Sequence, residues 1–136
     1  MIDFEKEIFD IIAQEVRDNH TGTMVYSSYP KSNIGFPMAT IELGYNPIYQ
    51  KSLDSSNEEK HSVHMFNVNV LSNLDNQNKA KMQVKSILNT IDEKFLALGF
   101  RRVSTQNLPN TEDTTIYRMV ARYDGVISKD GQVYRG

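Results

Sequence analysis

The sequence predicts an α+β domain over residues 1–136: a mostly antiparallel sheet with two helices on one face, in the order α-β-β-β-α-β-β-β. Three observations predict it. Two segments carry apolar residues at helical spacing, and several others alternate with period two. The links between them are short and rich in hairpin residues, which favours antiparallel neighbours. The strongest strand signal, Thr114–Tyr123, lies near the end of the chain, so the chain closes in sheet.

The first helix is expected over Asp3–Asp18. Phe4, Ile8, Ile11, Ile12 and Val16 form its apolar stripe. Asp3 is placed to cap it, and Glu5 and Glu7 suit the positive end of the helix dipole. Asn19, His20 and Gly22 end it. Thr23–Ser28 reads as a short strand, and Tyr29–Asn33 as a turn. Phe36–Leu43 is the second strand, with Ala39, Ile41 and Leu43 on one face and Met38, Thr40 and Glu42 on the other. Pro37 marks an edge or entry point. Gly44–His61 lacks periodicity and reads as a long loop or arm with an aromatic start and an acidic end. A loop of this length in a compact domain is usually functional or disordered.

Ser62–Leu71 is the third strand, with Phe66, Val68 and Val70 facing the core. The second helix is expected over Lys79–Leu98. Val84, Ile87, Leu88, Ile91, Phe95 and Leu98 share one face, and Gly99 is placed for a left-handed C-cap. Phe100–Gln106 is the next strand, followed by a turn around Asn107, Pro109 and Asn110. The long strand Thr114–Tyr123 then runs into Gly125, and a short strand returns after Lys129-Asp130-Gly131, where a hairpin turn needs positive φ. Tyr117, Met119, Ala121 and Tyr123 are assigned to the core face, and Arg118 and Arg122 to the other.

The totals narrow the function classes. The formal net charge is −2, without the basic excess usual in proteins that grip phosphate backbones. There is no cysteine, which removes disulfides, thiolate chemistry and cysteine metal sites and fits a reducing compartment. The mixed-charge start Met1–Glu7 lacks the apolar centre of a secretion signal. No apolar run approaches the roughly 20 residues that span a bilayer. These features lead to the expectation of a soluble cytoplasmic product.

Sites with chemistry are few. His61 and His64 stand beside Glu58 and Glu59, but residues i and i+3 on a strand point to opposite faces, which argues against a shared metal. Asp75 and the pair Asp92-Glu93 lack the convergent setting of an acid–base dyad. Arg101-Arg102 reads as a charged strand start. No nucleophile elbow or phosphate-binding glycine loop is present, so no catalytic, cofactor or metal residue is assigned, and the chain is not expected to be an enzyme. The arginine pair Arg118 and Arg122 remains. Guanidinium binds carboxylate or phosphate bidentately, so this face suits a neighbouring subunit or a phosphate, or pairs across strands within the subunit.

Ile116-Tyr117-Arg118-Met119-Val120-Ala121-Arg122-Tyr123, then Gly125–Ser128 and Tyr134-Arg135, resembles the end of tail terminator (tail completion) proteins of long-tailed bacteriophages. These are also known as minor capsid or head–tail joining proteins. Met65–Asn73 ahead of the second helix, Leu98–Arg102 after it, and Tyr49–Ser52 with Asp54-Ser55 agree. The likeness runs from about Phe36 to the end. It implies a structural virion protein that forms a hexameric ring. Such a ring caps the tail tube, ends tube elongation and presents the surface for head–tail joining.

The implied partners are further copies of the chain, the tail tube protein and the head connector or stopper. DNA passes through the ring without specific binding, and no membrane or cofactor is involved. The implied place is the tail end or neck of the virion, after assembly in the bacterial host cytoplasm. On this reading Arg118, Arg122, Tyr45, Tyr49, Lys51, Glu58 and Glu59 contribute to a subunit or lumen interface, and exposed sheet edges are covered by neighbours. The rival readings are another head–tail component (adaptor, stopper or joining protein) and a nucleic-acid-binding module. The second is disfavoured because alternation separates Tyr117 and Tyr123 from the arginines. A small hydrolase lacks a seed residue.

Overall fold

The computed structural model describes residues 1–31, 35–46, 61–108 and 115–134. Its elements are α1 (Glu5–Asn19), β1 (Met24–Tyr26), β2 (Met38–Tyr45), β3 (His61–Ser72), α2 (Gln77–Leu98), β4 (Arg101–Asn107), β5 (Tyr117–Ser128) and β6 (Val133–Tyr134). This is the expected order. The strands lie side by side as β1-β2-β3-β5-β4, and β6 pairs with β5 beyond β4. β1 runs parallel to β2, and every other pairing is antiparallel.

The register sorts the side chains. Ala39 and Ile41 of β2, Phe66, Val68 and Val70 of β3, and Ala121 and Tyr123 of β5 share the face that meets the helices, and all are fully buried. α2 lays Val84, Ile87, Leu88, Ile91 and Phe95 on that face, and α1 adds Ile8, Ile12, Ala13 and Val16. Four rings form the centre. Phe95 stacks on Tyr123 at 4.4 Å and meets Phe66 and Phe100 at 5.6 and 5.2 Å. Burying one such ring is worth on the order of 1.5–3 kcal/mol. The helices are joined to each other where His20 Nε2 meets Thr90 Oγ1 at 2.7 Å.

Several boundaries differ from the sequence reading. α2 starts two residues earlier than expected, because Asn76 caps it by accepting the Asn78 and Lys79 N–H groups. Gly99 takes the left-handed conformation expected of it. In α1, Phe4 is the cap residue, and Asp3 accepts only the Glu5 N–H, at 2.9 Å. Ile11, assigned to the buried stripe, is exposed. It lies at the flank of the stripe, beside Asp10, Gln14, Glu15 and Lys94.

β5 does not stop at Gly125 but continues to Ser128. A Cβ at Gly125 would stand 2.9 Å from the Phe100 ring, so the glycine marks a packing contact inside the strand. Gly44 and Tyr45 belong to β2, after a register shift, and His61 belongs to β3. Asn46 follows β2 and donates from Nδ2 to the Ile2 carbonyl at 2.7 Å; residues 47–60 of the expected arm lie outside the described residues.

Candidate functional site

The sheet has a second face, turned away from both helices. Its β5 residues are Arg118, Val120, Arg122 and Asp124, which align with Leu71, Asn69, Asn67 and Met65 of β3. Gln106 and Ser104 of β4 stand beside Val120 and Arg122. On the other flank, Glu42 of β2 stands beside Asn67. Alternation along β5 puts both arginines on this face, four residues apart, as the sequence predicts.

The two arginines differ in how they are held. Arg118 is half-buried and donates from Nε and Nη2 to Asn69 Oδ1, at 3.0 and 2.8 Å. A neutral amide thus orients the guanidinium without cancelling its charge. Arg122 is exposed, and among the described residues it has no hydrogen-bond or ion-pair partner. The face is not uniformly open, because Met38, Thr40 and Leu71 are buried on it. Tyr45, the other described interface candidate, ends β2 with 62% of its surface exposed. Tyr49, Lys51, Glu58 and Glu59 lie outside the described residues.

The two arginines of β4 are already engaged. Arg101 forms a forked pair with Asp124, at 3.2 and 3.0 Å. Arg102 reaches Asp92 of α2 at 3.4 Å. Asp92 also accepts the Tyr123 hydroxyl at 2.8 Å. Burial first, and then this hydrogen bond, push the Tyr123 phenol well above its ordinary value of 10.0. These three residues form the wall of a small cleft between α2 and β4, which Lys85 and Thr105 also line. Sequence reasoning gave Asp92 no partner, since only the register of β4 on β5 brings Arg102 and Tyr123 to it. The cluster clamps α2 to the sheet.

His61 and His64 project to opposite faces. His64 is fully buried on the helix side, where Nε2 accepts the Phe4 N–H at 3.0 Å. Its other ring nitrogen is 3.3 Å from the Ser62 carbonyl. An imidazole placed this way joins the start of α1 to the central strand. These two contacts are with backbone groups, and nothing in the sequence signalled them. Among the described residues, no group of three or more His, Asp or Glu side chains is arranged to hold a metal ion.

The sheet edges complete the surface. β4 is exposed at all seven positions, and among the described residues its outer edge has no strand beside it. β1 is the opposite edge, with Met24 exposed and Val25 buried. Among the described residues, no helix is long and apolar enough to cross a membrane.

No protein-family model matches the chain, and no curated protein does. Among solved structures, it is similar to a chain of the virion of a native gene transfer agent (GTA) particle. The identity is 17% and the TM-score 0.47, over 91% of this chain and 92% of that one. Similarity at this level carries no inference about function.

Proposed function

We propose that this protein is a structural virion component of the tail-terminator type. Copies of it form a hexameric ring that caps the tail tube, ends tube elongation and presents the surface for head–tail joining. The resemblance of Ile116–Tyr123, Gly125–Ser128 and Tyr134-Arg135 to that family motivates the reading. One structural observation carries it furthest: the chain's unspent binding groups lie on its surface, on the far face and the two sheet edges. Arg118 is aimed by a neutral amide, and among the described residues Arg122 is unengaged and β4 has a bare outer ladder. These groups suit contact with other chains better than the turnover of a small molecule.

On this reading Arg118 and Arg122 meet carboxylates of a neighbouring subunit or line the lumen, and Tyr45 adds an aromatic contact. Tyr49, Lys51, Glu58 and Glu59 extend that interface. The tail tube protein and the head connector or stopper take the two ends of the ring. The slightly acidic chain lets DNA pass without holding it. The nucleic-acid-binding alternative loses ground because Tyr117 and Tyr123 sit on the helix face, away from the arginines. No catalytic residue is assigned.

The test is the mass of the purified protein in solution across concentration, with electron micrographs of any large species. The expected result is a sixfold particle with a central hole, either free or formed on added tail tubes. A protein that stays monomeric and does not bind tubes overturns the reading.

A further inference from the structure

A bare sheet edge presents alternating N–H and C=O groups, and the group that satisfies them is another strand. Among the described residues, this sheet has two such edges, β1 and β4. Their relative direction follows from the pairings. β1 is parallel to β2, β2 antiparallel to β3, β3 antiparallel to β5, and β5 antiparallel to β4. β4 therefore runs opposite to β1. When two copies lie edge to edge with their helices on the same side, β1 of one meets β4 of the next in the antiparallel sense.

The faces match as well. Met24 and Tyr26 align with Met38 and Thr40, on the far face. Gln106 and Ser104 align with Val120 and Arg122, on the same face. Val25 and Thr105 align with Ala39 and Ala121, on the helix face. One register satisfies all three positions: Met24 opposite Gln106, Val25 opposite Thr105, and Tyr26 opposite Ser104. It uses the part of β4 beyond the irregularity between Arg102 and Ser104. It sets no like charges opposite each other, since neither stretch is charged and both β4 arginines are turned to acids of their own chain. The sequence reads as strand over Thr23–Ser28, but only Met24–Tyr26 are paired within the chain.

We propose that β1 of one copy pairs antiparallel with β4 of the next, in this register, so that the sheet continues from subunit to subunit. The occupant of each edge is a second copy of this chain. The joint is heterologous, the kind that builds rings rather than closed dimers. It deepens the ring reading and rests on it.

The absence of cysteine makes the joint directly readable. The full chain would carry Met24→Cys together with Gln106→Cys, both at exposed positions. Within one copy these residues lie on opposite edges, four strand spacings or about 19 Å apart. A disulfide needs Cα atoms closer than about 7 Å, so any bond formed links two copies. Under mild oxidation, alone or on added tail tubes, the double variant is expected to give a ladder of covalent oligomers that reductant collapses. Each single variant is expected to give none. The pair Tyr26→Cys with Ser104→Cys should repeat the ladder and protects the test against misfolding of the first pair. A dimer from Gln106→Cys alone would overturn the joint in favour of β4 on β4. Sixfold particles without a ladder would overturn the joint but leave the ring reading standing. No ladder and no particles under either condition would overturn both.

Discussion

The helix face and the far face belong to the same strands, yet they carry different chemistry. On the helix face Phe66, Phe95, Phe100 and Tyr123 form a dry aromatic centre. On the far face the same strands present Asn67, Asn69, Arg118 and Arg122, and a charge is positioned without being neutralised. The first face is packed throughout. The second buries Met38, Thr40 and Leu71 and keeps directed groups available beside them. The difference shows that alternation along one strand can separate packed groups from accessible ones residue by residue.

The sharpest way to break the comparison is at the aromatic centre. Phe95→Ala should cost about 3–5 kcal/mol, read as a lower urea midpoint, because the ring is fully buried among three others. A loss below about 1 kcal/mol would mean that the centre is not close-packed. His64→Ala comes next. It removes the acceptor of the Phe4 N–H and should cost about 1–3 kcal/mol. Hydrogen exchange at the start of α1 should quicken with it.

A third test uses pH. The Tyr123 phenol titrates above its unfolded value, so its contribution is fully present below pH 10.0 and is lost as pH rises beyond it. Its share of the fall is at most about 1.4 kcal/mol per pH unit. Tyr123→Phe should show a shallower alkaline fall in urea melts. An unchanged slope would remove Tyr123 as a contributor.

The smallest stability effect belongs to the far face. Arg118→Glu with Arg122→Glu should change stability by no more than about 0.5–1 kcal/mol and leave the circular dichroism intact. Ring formation or tail joining should fall all the same. Assembly at the wild-type level would end the role given to this face.

Much of the fold was legible because its signals are local. Both helices, all six strands and the Gly99 cap follow from periodicity and turn chemistry. What stayed hidden depended on residues far apart in sequence. Gly125 reads as a stop until the Phe100 ring is seen resting on it. Asp92 looks like a surface acid until β4 and β5 bring Arg102 and Tyr123 to it. His64, which strand geometry argues against as a metal ligand, has no role in the sequence until its nitrogen is found on the Phe4 N–H. The arginine face was readable from alternation, but the clamp on Arg118 was not. Asn69 is 49 residues away and meets it only through the β3–β5 register.

The position of β3 has a consequence for the nascent chain. β3 is central, with β2 before it in sequence and β5 only after α2 and β4. While the chain is being synthesised, the first half of the sheet can form, but one side of β3 waits for the last strands to emerge. Until then the apolar residues that β3 will share with α2 and β5 lack their cover. The longest ladder in the molecule is therefore a late, non-local event. Translation speed through the C-terminal third sets how long a sticky half-sheet is exposed.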